Sequence, residues 1–554
     1  MPLLIDTSPW QWIDISMPKP LGLIASMKPR LHYDDVAREH SEAISNAWIR
    51  QFFNPRVLQS VAQFLKRHHG PGNVDEFSYL KKGSYNITFQ MINKESDATV
   101  IRFVQPGSIM FPEEKVRNEV ATMRYIYDQT SIPVPFVNHW GSRKESPRGL
   151  GPFIIMDYIE HETSMYDALN VPRCPGEQRG ILDPHISEAK LEALYGEVAT
   201  ILLKLSQPNL PRIGSLHQVD DFTWEVTKRP LSMTMNSLIR LGSLPQSKLP
   251  NTTFDSTSSY FEALAELHIA HLTNQRNDAI DSADDCRRKL VARYLFRKLA
   301  REQCLTKPLA AFDKGPFKLW CDDLRPGNIL LSRELKIVSV FDWEFTYAAP
   351  VEFSFAPPWW LLIEKPEYWP QGLDDWCNEY RRRLPTFLRA MRDQEDRAIE
   401  QGWLDSTQRL SGLMKESWES GDFWIAYAAR NNFAFDLIYW HKIDQRLFGP
   451  TSTPIDDVWK QRLVILEPAE RAEIERIVAI KVEEMQTRSL AWDPDGYTKE
   501  IADTLREDNA DKELESQTSD SAPDERMYAG PTKLEELSLI GDGSFILFNK
   551  LGKT

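Results

Sequence analysis

Residues 317–344 carry the pattern that decides the fold. Residues 317–331 read FKLWCDDLRPGNILL, and residues 337–344 read IVSVFDWE. The first segment sets Asp323 and Asn328 among apolar residues, and the second contains Asp342. Short apolar runs separated by a polar turn are typical of a β-hairpin. We therefore expect a hairpin that returns Asp342 to the neighbourhood of Asp323.

These three side chains have the chemistry that phosphoryl transfer requires. Transfer to a hydroxyl needs an acceptor for the hydroxyl proton and hard oxygen ligands that hold Mg²⁺ across the phosphates. Asp323 supplies the first, and Asn328 and Asp342 supply the second. In isolation, an Asp followed by an Asn five residues later also occurs by chance, and an Asp before a Trp also caps turns. The apolar strands on both sides favour the catalytic interpretation.

The segment resembles the H-G-D-L-H-P-G-N…I-D-W-E signature of the aminoglycoside and choline-kinase-like phosphotransferases. The resemblance covers about residues 76–350 and is strongest at 317–350. It implies that Asp323 is the catalytic Asp and that Asn328 and Asp342 hold the metal; Trp343 and Glu344 match the continuation of the motif. It also implies an α+β, protein-kinase-like fold with a small β-rich N-lobe and a large, mainly helical C-lobe. ATP and Mg²⁺ are then the expected cofactors, and the hydroxyl of a small molecule is the expected acceptor.

The sequence departs from this signature immediately before Asp323. Cys321 and Asp322 stand where the family usually has His-Gly. Cys is a weak hydrogen-bonding partner in place of the His, and Asp322 could raise the pKa of a neighbouring carboxylate or add a metal contact. Arg325 is a second catalytic candidate: it either neutralises charge on the transferring phosphoryl group or forms an ion pair with Asp322 or Asp342.

The N-terminal half offers candidates for nucleotide binding. Gly83, Ser84 and Asn86 lie in a turn between two predicted strands, although only one Gly is present. Arg102 on the next strand resembles the family's Val-Leu-Arg strand, where Arg replaces the Lys of protein kinases; a solvated Arg is the alternative. Glu119 on the following helix is its best partner.

Two other glutamates, Glu113 and Glu114, lie on the same predicted helix as Glu119. They are nearer its start and could merely favour the helix dipole.

The expected hinge between the lobes supplies the last two candidates. Asp157 and Ile159 follow an apolar strand at the position where a kinase hinge meets adenine; an ordinary linker between lobes has the same sequence character.

The predicted organisation has four parts. Residues 1–73 form an N-terminal helical extension, 74–160 the kinase-like N-lobe, and 161–490 the helical C-lobe with the catalytic loop at 317–345. Residues 491–554 form an acidic, largely disordered tail, because apolar residues are scarce there. His268 and His271 are three residues apart on a predicted helix, but no third ligand accompanies them, so we favour a structural role over a metal site.

Composition limits the functional classes. The chain of 554 residues is 42% hydrophobic and has a formal net charge of −14, which disfavours binding to nucleic-acid phosphates and favours a cationic acceptor. The five cysteines include no C-x-x-C pair, and no stretch approaches the apolar length of a membrane span. We expect a cytoplasmic monomer or weak dimer that binds neither membrane nor nucleic acid.

Three functions fit these patterns. The first is an active ATP-dependent phosphotransferase acting on a small molecule. The second is a catalytically impaired ligand-binding protein on the same fold, suggested by Cys321-Asp322 and the single Gly. The third, a protein kinase, is disfavoured because no Ala-Pro-Glu element follows Asp342.

Overall fold

The computed structural model describes residues 30–68, 74–93, 98–172 and 179–504. Within them, a β-rich N-lobe and a predominantly helical C-lobe are both present, so the predicted α+β, two-lobed, kinase-like fold is confirmed. Residues 1–29 and 69–73 of the predicted extension, the turn residues 94–97, Cys174 and residues 505–554 of the predicted tail lie outside the described residues.

The N-lobe is built on a five-stranded antiparallel sheet in the order β1-β2-β3-β5-β4. Its strands are β1 (Val74–Lys82), β2 (Asn86–Asn93), β3 (Ala98–Val104), β4 (Val137–Gly141) and β5 (Phe153–Asp157). Helix α3 (Pro112–Gln129) packs against it. The apolar side chains Ile87, Phe89 and Met91 of β2 enter the core, and all of β3 after its first residue is buried. Because both faces of β3 are buried, the charged side chain of Arg102 must find partners that are also buried.

The C-lobe is mainly helical and carries several short strands. Before the catalytic loop come α4 (Met165–Leu169), α5 (Glu188–Leu205), α6 (Met233–Gly242), α7 (Thr257–Asn274) and α8 (Ala283–Arg301). After it come α9 (Val351–Ser354), α10 (Leu373–Glu400), α11 (Ser411–Ser420), α12 (Asp422–Arg430), α13 (Phe435–Ile438), α14 (Asp444–Phe448), α15 (Val458–Arg462) and α16 (Pro468–Glu484). Among the described helices, none combines the length and apolar character needed to cross a membrane.

Strand β4, which pairs with β5 at the edge of the sheet, was not predicted. A hairpin of β7 (Ser215–Asp220) and β8 (Thr223–Lys228) was not predicted either, because it lies within the region predicted to be mostly helical. Gly214 enters this hairpin, and an added Cβ there would lie 2.3 Å from the carbonyl oxygen of Lys228. The hairpin thus depends on a backbone approach that only glycine permits.

The extension before the N-lobe forms two helices, α1 (Asp35–Gln51) and α2 (Pro55–His68). Helix α1 contacts both lobes. At its start, the fully buried Asp34 accepts hydrogen bonds from Ser243 Oγ (2.8 Å) and from Asn277 Nδ2 (2.7 Å) in the C-lobe. Near its end, Trp48 Nε1 donates to the carbonyl oxygen of Leu150 in the N-lobe (3.0 Å).

The chain after α16 also returns to the N-lobe. The Oγ1 of Thr498 accepts a hydrogen bond from the N–H of Gly107 (2.9 Å), and Tyr497 donates its hydroxyl proton to the carbonyl oxygen of Leu150 (2.5 Å). Residues 491–504, the first part of the predicted acidic, largely disordered tail, thus pack against the N-lobe. Buried anchors among polar neighbours, such as Trp492, Tyr497 and Ile501, provide the apolar contacts that composition alone did not reveal.

Removing the Asp34 carboxylate tests how strongly α1 is held. Asp34 caps α1 through Ala37 N–H and accepts further bonds from Ser243 and Asn277, all in a buried site. We expect Asp34→Ala to lower the free energy of unfolding by about 2–4 kcal/mol, because a cap and several buried bonds are lost together. Urea denaturation measures this change. Asp35→Ala, at a half-exposed neighbouring site, is the control; equal effects of the two substitutions would contradict the anchoring role.

The two histidines of α7 predict acid sensitivity. His268 and His271 are fully buried, and their rings pack on Phe435 and Phe433 at centroid distances of 4.1 and 4.7 Å. Burial, reinforced by the charge of Arg293, lowers the pKa of His271 to about 3. The neutral form is thus favoured in the fold, and the stability it contributes is present above the usual pKa of about 6.5 and is lost as the pH falls toward 3.

We expect the free energy of unfolding to decline between pH 6.5 and pH 4 and His271→Gln to reduce that slope. One titrating group can change the free energy of unfolding by at most about 1.4 kcal/mol per pH unit. Denaturation series at several pH values measure this slope, with exposed His185→Gln as control. If the His271→Gln slope equals that of the control, buried His271 does not contribute to acid sensitivity.

Candidate active site

The catalytic loop connects a two-stranded sheet to a three-stranded sheet. β9 (Lys318–Cys321) pairs with β12 (Thr346–Ala349), and β10 (Ile329–Leu331) pairs with β11 (Ile337–Val340) and with β6 (Thr163–Ser164). The N–H of Phe341 donates to the carbonyl oxygen of Asn328 (3.0 Å), which brings Asp342 next to the loop as the hairpin prediction requires. Asp342 and Phe345 have φ values of 65° and 58°. Two non-glycine residues in the left-handed region are costly, and such strain concentrates at functional sites.

Both carboxylate oxygens of Asp323 have partners within the loop. Arg325 Nε donates to Oδ1 (2.7 Å), and Asn328 Nδ2 donates to Oδ2 (2.9 Å) and to the Asp323 carbonyl oxygen (2.9 Å). Asp323 is 6% exposed and Asn328 4% exposed. The ion pair of Arg325 is therefore made with Asp323, and the alternatives Asp322 and Asp342 are wrong. The two-residue spacing lets the Arg side chain fold back on the nearest carboxylate.

Three carboxylates converge beside this loop. Single oxygen atoms of Asp323, Asp342 and Glu344 lie within 4.8 Å of one another. Asn328, whose Nδ2 is used by Asp323, keeps its Oδ1 as a further oxygen donor next to the same site. Carboxylate and amide oxygens are the ligands that Mg²⁺ prefers, so the donor set fits a hard divalent cation.

A buried charge network joins this cluster to the N-lobe. Arg102 forms an ion pair with Glu119 and donates to Asp342 Oδ1 through Nη1 (2.8 Å). Lys115 lies between Glu119 (3.2 Å) and Glu344 (2.5 Å). Glu119 is thus the helix residue that contacts Arg102. Of the other two glutamates considered for that position, Glu113 accepts from the N–H of Arg143 and Glu114 pairs with Arg229.

Burial sets the ionisation of the network. Burial raises the pKa of Glu344 to about 8, assisted by the negative charge of Asp342. It also raises the pKa of Asp342, against the opposing charge of Arg102. Burial acts in the same direction on Glu119, but the charges of Arg102 and Lys115 outweigh it and lower the pKa of Glu119. The site therefore concentrates carboxylates that need nearby positive charge.

The glycine turn between β1 and β2 lies above this network. Gly83 and Ser84 are exposed at its tip, whereas Asn86 is buried. Asn86 Nδ2 donates to Glu344 (3.2 Å), and its Oδ1 accepts from Lys115 Nζ (3.0 Å), so this side chain connects the turn to the carboxylates. A Cβ at Gly83 would meet only the Asn86 carbonyl oxygen, at 3.7 Å. The turn therefore has room for a side chain at position 83, and neither a steric clash nor backbone strain requires glycine there.

The segment at the end of β5 forms the connection between the lobes. Asp157 accepts a hydrogen bond from Asn138 Nδ2 (2.7 Å), and the carbonyl oxygen of Ile159 contacts His161 Nδ1 (2.8 Å). The backbone N–H of Asp157 donates to Phe136, and that of Tyr158 donates to Ala98. The Asp157 side chain lies in an exposed contact with a neighbouring strand.

Cys321 and Asp322, which precede Asp323, make hydrogen bonds that support the catalytic loop and its neighbours. Cys321 Sγ contacts the carbonyl oxygen of Glu344 (3.7 Å) and so supports the loop weakly from within the core. Asp322 accepts from Met233 N–H (3.0 Å), at the start of α6, and from Trp320 Nε1 (2.8 Å). Burial raises the pKa of Asp322. The carboxylate of Asp322 does not belong to the cluster of three, so the suggested extra metal contact is not observed.

Two members of the network were missed as site residues. Glu344 was noted only as part of the sequence motif, yet it contributes an oxygen to the cluster. Lys115 was not singled out, although it lies four residues before Glu119 on α3, the spacing at which helical side chains meet. The four-residue spacing from Glu119 on the same predicted helix was the available signal.

A small cavity lies on the other side of the catalytic loop. Its lining includes Asp322 and Leu324 of the loop, Trp359, and Arg430 of α12. The Arg430 guanidinium stacks over the rings of Trp320 and Phe353, at 4.4 and 4.6 Å from their centroids. Trp359 and Trp360 both line this cavity; Trp360 is buried, whereas Trp359 is only partly buried.

Lys115 provides a test of the charge network. We expect Lys115→Met to lower the free energy of unfolding by about 3–5 kcal/mol, since it leaves Glu119 and Glu344 without a shared cation in a buried site. The double variant Lys115→Met/Glu344→Gln should recover part of this loss. Chemical denaturation at neutral pH measures both. Exposed Arg117→Met on the same helix is the control; equal effects of Lys115→Met and Arg117→Met would refute the role.

Comparison with known proteins gives a family match and several weak structural likenesses. A thermostable mutant of aminoglycoside phosphotransferase APH(4)-Ia, solved with AMP-PNP and hygromycin B, has 15% identity and a TM-score of 0.35, covering 69% of this chain and 98% of its own. A putative fructosamine-3-kinase from Haemophilus somnus has 11% identity and a TM-score of 0.34, covering 74% and 98%. The Plasmodium vivax ethanolamine kinase has 14% identity and a TM-score of 0.32, covering 72% and 84%.

These structural likenesses are too weak to indicate an acceptor. No match to this chain was found among curated proteins. The family model described as the phosphotransferase enzyme family (APH), in contrast, matches residues 76–392, which is more than half of the chain and includes the glycine turn, Arg102, Glu119 and the catalytic loop. The chain belongs to the APH phosphotransferase enzyme family.

Proposed function

We propose that the protein transfers the γ-phosphoryl group of ATP to a hydroxyl of a small molecule, with Mg²⁺ as cofactor. The observation that carries the proposal is the convergence of Asp323, Asp342 and Glu344 beneath the glycine turn, with Arg102 bridging Asp342 and Glu119. This arrangement supplies a proton acceptor, oxygen ligands and a cation near one another. A cytoplasmic monomer or weak dimer remains our expectation.

In this proposal each residue of the cluster has a separate task. Asp323 accepts the proton of the acceptor hydroxyl while the hydroxyl oxygen forms a bond to the γ-phosphorus. The bond between that phosphorus and the bridging oxygen breaks, and ADP leaves with the bond's electrons. Asn328, Asp342 and Glu344 would hold Mg²⁺, which when bound neutralises phosphate charge. Arg102 orients Asp342 through the 2.8 Å contact and adds positive charge on the N-lobe side.

The glycine turn and the hinge would bind the remainder of the nucleotide. Gly83 and Ser84 lie exposed at the tip of the turn. The N–H of Gly83 donates to the carbonyl oxygen of Asn86, so Ser84 would offer its backbone N–H to the phosphate oxygens. Asn86 acts indirectly, since its side chain is occupied by Glu344 and Lys115. Asp157 and Ile159 would contribute backbone groups to adenine, with no role for the Asp157 carboxylate.

The acceptor would approach from the side of the cavity next to Asp322. The partly buried Trp359 offers a flat apolar surface there, and the stacked Arg430 offers N–H donors. The lining of the cavity carries both the carboxylate of Asp322 and the guanidinium of Arg430, so it does not select the charge of the acceptor. The proposal therefore specifies a small molecule with a hydroxyl group and leaves its charge open.

One observation favours a second candidate, a ligand-binding protein with impaired catalysis. Both oxygens of Asp323 already accept a hydrogen bond, from Arg325 and Asn328, so fewer lone-pair positions remain for the proton of the acceptor hydroxyl. Nucleotide binding without turnover would follow if these two bonds persist when the acceptor is present.

Two substitutions separate these functions. We expect calorimetric binding of Mg-ATP to the wild type that requires magnesium, and at least tenfold weaker binding to Asp342→Ala because a metal ligand is lost. Asp323→Asn should retain binding but lower transfer from γ-labelled ATP to a panel of amino alcohols, sugars and hydroxy acids by about 10²–10⁴-fold. Asp374→Asn, 89% exposed, is the control.

The outcomes distinguish the alternatives. Binding without labelled product from any acceptor supports the ligand-binding candidate. Absence of nucleotide binding to a folded wild type would refute the phosphotransferase proposal. Transfer that survives Asp323→Asn would refute the assignment of Asp323 as proton acceptor.

A further inference from the structure

Gln105, immediately after β3, contacts the glycine turn through both its side chain and its backbone. Its side chain is buried, with 1% exposure. Its Nε2 donates to the carbonyl oxygens of Gly83 and Asn86, both at 2.8 Å. Its backbone N–H donates to the carbonyl oxygen of Tyr85 at 2.9 Å. One residue thus binds three of the four carbonyl groups of the segment 83–86.

The orientation of the Gln105 amide is determined by its neighbours. Its Oε1 accepts a hydrogen bond from Ser45 Oγ at 2.9 Å. A flipped amide would direct Oε1 at two carbonyl oxygens, so only the observed orientation satisfies the network. Ser45 is also buried, with 4% exposure. Neither side chain can exchange its partner for water without opening the core, and an unpaired group there would be costly.

Ser45 belongs to α1, which both lobes hold in position. Asp34 fixes the start of the helix to the C-lobe, and Trp48 fixes its later part to the N-lobe. The turn is therefore connected through Gln105 to a helix that precedes the residues of the family match. From below, the turn is held by the bond between Asn86 and Glu344.

We propose that Ser45 and Gln105 are positioning residues that hold the Gly83–Asn86 turn in the conformation that receives the nucleotide phosphates. The inference rests on the proposed function, because the ligand of the turn is the nucleotide of that reaction. A turn with three carbonyl groups fixed in advance loses less conformational freedom on binding, and this raises affinity. The N-terminal helix is then part of the nucleotide site, although it touches no nucleotide.

The first test is calorimetric titration with the magnesium complex of AMP-PNP. Gln105→Met keeps the length of the side chain and removes its hydrogen bonds, and we expect the Kd to rise about tenfold, the effect of losing bonds that favour the bound form. Ser45→Ala removes only the outer bond and should raise the Kd by roughly threefold. The matched control is Ser60→Ala on α2, which removes a bond to the carbonyl oxygen of Val57 within its own helix.

The second test does not require a nucleotide. The N–H of Gly83 donates to the carbonyl oxygen of Asn86 at 2.8 Å, so its hydrogen exchange reports on the turn itself. We expect faster exchange at Gly83 in Gln105→Met and Ser45→Ala, and unchanged exchange in β5 and in the control. Gln105→Glu, which keeps an acceptor for Ser45 and loses both donated bonds, serves as a second variant if Gln105→Met is unstable.

Each result has one meaning. Wild-type exchange at Gly83 in folded Gln105→Met or Gln105→Glu would overturn the positioning role, whatever the protein binds. Faster exchange with unchanged AMP-PNP affinity would overturn the connection to the nucleotide. Failure of the wild type to bind AMP-PNP would instead overturn the proposed function, with the exchange measurement still deciding whether Gln105 orders the turn.

Discussion

The buried ion pairs of Arg102 and Lys115 are the interaction on which the rest of the site depends. Glu119, Asp342 and Glu344 are carried by α3 and by the segment after β11, and none of these carboxylates could be buried ionised without an opposing charge. Because Arg102 and Lys115 each contact one carboxylate from each lobe, the lobes cannot separate without leaving charges unpaired. The same requirement fixes the position of Asp342, whose backbone has the unfavourable φ of 65°.

The segments outside the two lobes support this arrangement of the lobes. Helix α1 and residues 489–504 cross from the C-lobe to the N-lobe and meet at Leu150, whose carbonyl oxygen accepts from both Trp48 and Tyr497. Gly107 lies so close to Ser41 that an added Cβ would be 2.5 Å from its carbonyl oxygen. These segments therefore pack as tightly as a core element and support the lobe arrangement from the outside.

The fold class could be predicted from the sequence because the candidate catalytic and metal-binding residues lie in one short segment. The hairpin after Asn328 brings Asp342 back as expected, since apolar strands on both sides of a polar turn leave few alternatives. Lys115 and Gln105 could not be identified in the same way. Their importance comes from partners far away in sequence, and a lone Lys on a helix or Gln after a strand has the local signature of a surface residue. The folded residues 491–504 were missed for a related reason, because a few buried anchors among polar residues give no compositional signal.

The geometry of Asp323 determines how a reaction could proceed at this site. Its two partners differ in mobility: Asn328 is buried, while the Arg325 side chain is 44% exposed. An acceptor hydroxyl that approached Oδ1 would displace the exposed Arg325 more easily than the buried Asn328, which also binds the Asp323 carbonyl oxygen. The released guanidinium would then be free to face the charge that develops on the transferring phosphoryl group. In the proposed reaction, ion pairing and charge neutralisation, the two alternative roles for Arg325, would be successive positions of one side chain, and the bond between Arg325 and Asp323 would belong to the state before the acceptor binds.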